Sequence, residues 1–292
     1  MTYIGRFAPS PTGLLHFGSL LAALAGYLDA RAHQGRWLLR IEDLDPPREH
    51  PDARLQIPQT LADFGLHWDD DILFQSDRLR HYQAALDQLH QQQRAYRCDC
   101  SRKQIQQRSG STAYDGHCRQ HPPASTIASA WRSITRGIDT AFDDGIQGPQ
   151  RCHLSDGGDF VIKRKDGLFA YQLAVVVDDA FQQISHIVRG CDLLEETHRQ
   201  LHLQQQLGFS SPHYSHIPVA SNATGQKLSK QNLAQPLDNS RPVPQLIDAL
   251  RFLGQQPPPE LHDASLDELL SWATAHWQQA WVPRQPAIIW EP

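Results

Sequence analysis

The stretch FAPSPTGLLHFGS, Phe7 to Ser19, lies between an apolar run, Tyr3 to Phe7, and the run GSLLAALAGYLDARAHQ. The first predicts a short strand and the second a helix opening at Gly18. Strand, proline-stiffened turn and helix N-terminus in that order bring unpaired backbone N–H groups to the end of a strand, where they attract phosphate. Gly18 lets a ligand approach the main chain, and His16 can donate to phosphate oxygens as charge builds on them. Taken alone, the stretch is also compatible with a stiff turn carrying a surface histidine.

The rest of the chain repeats the alternation. Up to about Ala95, runs such as WLLRIED (Trp37 to Asp43) alternate with helical stretches, the pattern of a parallel α/β sheet. A second α/β run begins at FVIKRKDGLFAYQLAVVVDD and ends in HYSHIPVAS; a polar segment rich in Gly, Ser, Gln and His separates the two. The expected organisation is a Rossmann-type catalytic domain in two halves, 1–95 and 159–237, split by an insertion, 96–158, and followed by a small helical appendage, 238–292. A net charge of −5 excludes a broadly basic surface, so any RNA contact must rest on local Lys/Arg clusters. The apolar run near Leu20 to Leu28 is too short to span a bilayer and lacks a basic segment ahead of it, so a cytoplasmic protein with no membrane partner is expected.

A second phosphate signal lies more than two hundred residues downstream in GQKLSKQN, Gly225 to Asn232. Lysines around a serine can close over a polyphosphate. Paired with the first stretch, they resemble the two signatures of class I aminoacyl-tRNA synthetases: His16-Phe17-Gly18-Ser19 for the "HIGH" element and Lys227-Leu228-Ser229-Lys230-Gln231 for the "KMSKS" element. Ser19 replaces the second histidine and Gln231 the final serine. GRFAPSPTGLLHFGSLLAAL with RIEDLDPPR and HIVRGCDLL narrows the resemblance to the glutamyl branch, and CDC, YDGHC and the HFGS variant to its truncated relatives, the glutamyl-Q tRNA(Asp) synthetases.

That resemblance implies ATP, with Mg2+, as a substrate and L-glutamate as the amino acid. His16, Gly18, Ser19, Lys227, Ser229 and Lys230 would bind ATP, with His16 and Lys230 catalytic. Glutamate's two carboxylates need cations and its ammonium an anion. The resemblance supplies Arg6 and Arg189, then Glu42, with Tyr171 as hydroxyl donor and Phe7, Ala8, Pro9 and Ser10 as the wall. Which arginine meets which carboxylate stays open, and Glu42 could instead pair with Arg40. The implied acceptor is the cyclopentenediol of queuosine at the wobble base of tRNA(Asp), reached by a monomer without an anticodon-binding domain. An anticodon loop is single-stranded and can splay its bases into such a cleft. The alternatives are a truncated glutamyl-tRNA synthetase charging an acceptor end, and a nucleotide- or RNA-binding module without turnover.

Five cysteines, an odd number with two packed as Cys98-Asp99-Cys100, do not form a secreted disulfide framework. Cys98, Cys100 and Cys118 suit structural Zn2+. The resemblance gives Tyr114 as fourth ligand, while His117, His121, Cys152 and His153 are rivals on chemical grounds. Cys191 reads as a packed residue, and WDDD, Trp68 to Asp71, as a solvated acidic turn. Asp178 and Asp179 could stand at a sheet edge near the nucleotide or cap a helix. Trp272, Trp277 and Trp281 have roughly helical spacing and read as core, with RNA stacking as a second reading.

Overall fold

A computed structural model describes residues 2–222 and 235–290. It begins with β1 (Ile4–Phe7), α1 (Phe17–Ala32) and β2 (Arg36–Ile41). β1 and β2 pair in parallel, Ile4 opposite Arg36 and Phe7 opposite Leu39. A parallel pair requires a crossover, and α1 is that crossover. β2 is buried at every position after Arg36, as a strand covered on both faces must be. After α2 (Ala53–Asp63), β3 (Asp69–Phe74) adds to the outer side of β2, again in parallel. The acidic WDDD stretch therefore opens a strand: Asp69 accepts from Arg31 at 2.7 Å and from the Trp37 N–H at 2.8 Å.

Beyond α3 (Leu79–Gln91) the chain leaves the parallel layer. β4 (Ala95–Cys98), β5 (Ala130–Ser133) and β8 (Phe160–Lys163) form an antiparallel sheet, so that unit takes in a strand beyond residue 158. Between β4 and β5 lie α4 (Arg102–Ser109), closed at its start by a Ser101–Gln104 capping box, and the single turn α5 (His117–Gln120). β6 (Asp139–Asp144) and β7 (Gly148–His153) make a hairpin. The chain rejoins the parallel layer through α6 (Tyr171–Phe181), β9 (His186–Gly190), α7 (Glu196–Leu207), β10 (His213–Ile217) and β11 (Val219–Ser221). β9 and β10 pair in parallel, and Ser185 N–H to Ile4 C=O at 2.9 Å ties β9 beside β1. β1 is thus flanked by β2 on one side and β9 on the other, and that reversal opens a crevice at the strands' carboxyl ends.

The tail is more than an appendage. α8 (Pro242–Phe252) and α9 (Leu266–His276) pack on α1, and their Leu246, Ile247, Leu250, Leu269 and Ala273 belong to the same core as Leu20, Leu24 and Leu28. This explains why α1 is apolar nearly all round: one face meets the sheet and the other the tail. Trp277 is buried and donates from Nε1 to Asp29 at 2.9 Å, whereas Trp281 is 53% exposed, so the tail tryptophans are not all core. β12 (Ala287–Ile289), which the sequence reading did not foresee, pairs in parallel with β11. Among the described residues no helix is long and apolar enough to cross a membrane.

Candidate active site

A cleft of about 530 Å3 opens at the carboxyl ends of β1, β9 and β10. Arg6 and Phe7 end β1, and Ala8, Pro9 and Ser10 continue the wall; His16, Gly18 and Ser19 bring in the start of α1, and Tyr171 and Arg189 come from α6 and β9. His16 is the residue at the N-cap of α1, and no side chain caps the helix there. Two first-turn N–H groups, those of Ser19 and Leu20, bond back to the His16 carbonyl, and Gly18, whose N–H has no acceptor in the helix ladder, lines the cleft at the positive end of the helix dipole. Glu42, just after β2, lines a second cavity of about 720 Å3 that shares Ser10, Thr12 and Tyr171 with the first.

The charges are held from behind by α6. Asp178 and Asp179 sit inside that helix and are buried, so they neither cap it nor reach a nucleotide. Asp179 accepts from Arg6 Nε at 3.2 Å and from Arg40 at 2.7 Å, while Asp178 accepts from Arg78 at 2.6 Å, Tyr82 at 2.6 Å and Gln75 at 2.9 Å. Burial opposes ionisation of Asp179, but Arg40 and Arg6 outweigh it and hold the carboxyl below its ordinary value. Arg6 is held by Asp179 through Nε and lines the cleft. Glu42 has the opposite balance. Burial, helped by Asp179 and Asp178, pushes its carboxyl up to about 7 against the pull of Arg40 and Arg6. Arg40 Nε stands 3.5 Å from Glu42, an ion-pair distance too long for a hydrogen bond, and Glu42 Oε1 is buried without a hydrogen-bond partner.

Arg189 donates from Nη1 to the Tyr171 hydroxyl at 3.3 Å, from Nη2 to Thr197 at 2.8 Å and from Nε to His216 at 3.0 Å. Burial raises the Tyr171 phenol above its ordinary value despite Arg189, so its proton is retained for donation into the cleft. The cleft thus brings together two guanidinium groups, a phenol and a helix N-terminus, and the adjoining cavity holds the Glu42 carboxyl.

Comparison with known proteins bears on what such a cleft does. A family model described as tRNA synthetases class I (E and Q), catalytic domain, matches residues 4–257. Relatives named Glutamyl-Q tRNA(Asp) synthetase are 51% identical over 98% of this chain and 96% of the relative in Pseudomonas fluorescens, and 52% identical over 98% and 88% in Yersinia pestis. The chain belongs to the glutamyl-Q tRNA(Asp) synthetase family. The fold extends further: a glutamate-tRNA synthetase from Elizabethkingia anophelis superimposes with a TM-score of 0.82 at 23% identity, covering 100% of this chain and 68% of that one. A glutamate tRNA ligase from Elizabethkingia meningosepticum, in complex with its amino acid, gives 0.80 at 23% over 98% and 67%.

In this member of the glutamyl-Q tRNA(Asp) synthetase family, Lys227, Ser229 and Lys230 lie outside the described residues. Before that segment Ala220 lines the cleft, and after it Leu237 N–H donates to the Leu15 carbonyl at 3.0 Å, beside the bridge between Pro236 and His16.

The cysteines gather away from the cleft. The Sγ atoms of Cys98, Cys100 and Cys118 all lie within 4.8 Å of one another, and among the described residues theirs is the one such Cys/His/acid group. Tetrahedral zinc with bonds of about 2.3 Å places its sulfurs about 3.8 Å apart, so the thiols fit the ion. Tyr114 Oη is buried in the same cluster, 4.0 Å from Cys100 Sγ, and accepts from the Cys118 N–H at 2.9 Å. Its rivals point elsewhere. His117 and His121 stack on each other, and His153 pairs with Asp139 on the β6–β7 hairpin with Cys152 beside it. Cys191 contacts the His216 carbonyl, as a packed residue would. Gly158 fixes Tyr114: its φ is +68°, and a Cβ there would stand 2.3 Å from the Tyr114 carbonyl oxygen.

The residues the sequence reading missed are those behind the cleft: Asp179 as the anchor of Arg6, and Thr197, His216 and Asp144 around Arg189. The one available signal was VVVDD, since two carboxylates in an apolar run must find cations if that run is buried.

Proposed function

We propose that this protein activates L-glutamate with ATP as the glutamyl-adenylate and transfers the glutamyl group to the cyclopentenediol of queuosine in tRNA(Asp), releasing AMP and pyrophosphate. The observation that carries the reading is the convergence of Arg6, Arg189, Tyr171 and the start of α1 on one cleft, with Glu42, whose Oε1 has no hydrogen-bond partner, in the cavity that adjoins it. Two cations and an anion match the charges of glutamate, and the helix N-terminus matches a phosphate. The name shared by relatives about half identical over nearly the whole chain supports the same acceptor.

In the first step a glutamate carboxylate oxygen attacks the α-phosphorus of ATP, the new O–P bond forms as the bond to pyrophosphate breaks, and no protein nucleophile takes part. Arg6, Arg189 and Tyr171 hold the carboxylates, Glu42 the ammonium, and His16 with the first turn of α1 stabilises charge on the phosphate oxygens. Lys230 neutralises the departing pyrophosphate, Lys227, Ser229, Gly18 and Ser19 complete the ATP site, and Mg2+ accompanies ATP, held mainly by phosphates and water. In the second step a queuosine hydroxyl attacks the activated carbonyl and AMP leaves. The adjoining cavity that shares Ser10, Thr12 and Tyr171 with the glutamate cleft is the entry for that base. Cys98, Cys100, Cys118 and Tyr114 would hold Zn2+, which would cross-link the β4–α5 module rather than take part in the reaction.

The test is transfer of labelled glutamate, with ATP, to tRNA with and without queuosine. Label confined to queuosine-bearing tRNA(Asp) and retained when the 3′-terminal diol is oxidised, the base diol being protected, is expected. Label on queuosine-free tRNA would establish acceptor-end charging instead, and absence of glutamate-dependent ATP–pyrophosphate exchange would overturn the enzymatic reading.

A further inference from the structure

We infer that Asp144 and His216 are positioning residues for the glutamate site: by fixing one tautomer of the His216 ring they hold Arg189 in its working orientation. The inference rests on the glutamate-binding role proposed for Arg189.

Arg189 is buried, and its Nε–H needs an acceptor. That acceptor is a ring nitrogen, His216 Nε2, at 3.0 Å. Unlike the carboxylate that holds Arg6, a neutral imidazole accepts the bond without setting a full negative charge against the guanidinium. It can accept only if the ring proton is on Nδ1. Asp144 Oδ2, 2.6 Å from Nδ1, keeps it there. Both side chains are 0% exposed. Burial lowers the His216 pKa, which keeps the ring neutral, and although burial works against the Asp144 carboxylate, His216 and the surrounding N–H groups hold it ionised.

The orientation of Asp144 is itself fixed. Its Oδ1 accepts three backbone N–H bonds, from Ile146 at 3.0 Å, Gln147 at 2.8 Å and His216 at 3.0 Å. This makes Asp144→Asn a specific perturbation. The amide oxygen must take the Oδ1 position to satisfy three donors, so the amide NH2 faces Nδ1. The ring then accepts at Nδ1 and carries its proton on Nε2, where it meets the Arg189 Nε–H donor to donor. The shape is unchanged and only the polarity of the contact is reversed.

In wild-type protein, the ring 15N shifts of His216 are expected to report protonation at Nδ1 alone, and in Asp144→Asn at Nε2 alone. The glutamate KM in ATP–pyrophosphate exchange should rise about tenfold, the scale of one charge-assisted hydrogen bond, with the ATP KM unchanged. Adding His216→Gln, whose amide can turn a fixed acceptor oxygen toward Arg189, should bring the KM back toward wild type; a merely structural role would make the double variant worse. A wild-type ring protonated at Nε2, or an Asp144→Asn protein that is flipped yet binds glutamate normally, overturns the inference. If Asp144→Asn does not fold, the wild-type ring spectrum still decides. Absence of exchange in the wild type would overturn the proposed function instead, and the ring spectrum is independent of that result.

Discussion

Glu42 provides a quantitative test of how the cleft takes an amino acid. Its carboxyl is pushed up to about 7 by burial, whereas an ammonium ion is held only by its ionised form. Glutamate keeps both carboxylates and its ammonium charged between about pH 6 and pH 8, so over that range Glu42, in the role proposed for it, decides whether the site is competent. With half-ionisation near 7, about one molecule in eleven is competent at about pH 6 and nearly all are at about pH 8; the apparent glutamate affinity should therefore strengthen about tenfold across that interval and level off above it. The linked effect on folding has the opposite sign. A carboxyl raised from about 4.5 to about 7 binds its proton more tightly in the folded protein, so stability falls as pH rises through that window, by about 3 kcal/mol in all. Glu42→Gln removes both effects: the ligand-free protein should melt higher than wild type at about pH 8, and its glutamate KM should be raised and independent of pH. The assay is the glutamate KM in ATP–pyrophosphate exchange at saturating ATP, measured across the range beside thermal melts. A wild-type KM that is flat from about pH 6 to pH 8, or a Glu42→Gln protein that keeps the slope, would refute the reasoning.

Asp179→Asn leaves Arg6 and Arg40 sharing an uncharged partner in a buried place, and should cost roughly 3–5 kcal/mol of stability, seen as a lowered urea midpoint. Tyr171→Phe removes a hydroxyl donor while keeping the ring, so the glutamate KM should rise by about tenfold with little change in melting temperature. Gly158→Ala requires a positive φ and drives a Cβ into the Tyr114 backbone; it should lower zinc content, measured by metal analysis, and cost about 1–3 kcal/mol. Lys230→Ala should slow adenylate formation while leaving the glutamate KM close to wild type, because its charge is needed as pyrophosphate separates; a large KM rise at unchanged turnover would contradict the role.

What the sequence determined by itself was local. Strand, stiff turn and helix follow from Pro9, Pro11 and Gly18 and from the apolar periods around them, and the proposed anion site rests on that order. The three thiols were also legible, because two of them are separated by the single residue Asp99 and a third, Cys118, follows in the same polar segment. The tertiary structure decided everything that depends on which surfaces meet. An apolar α1 does not reveal that one of its faces packs against α8 and α9, nor that Ala287–Ile289 returns to pair with β11. Nor does a polar hairpin reveal that its Asp144 supports an arginine forty-five residues further on, through a histidine on β10. Periodicity records whether a side chain is buried; the partner of a buried charge is chosen by long-range packing, and that choice sets the charge of Glu42 and the orientation of Arg189.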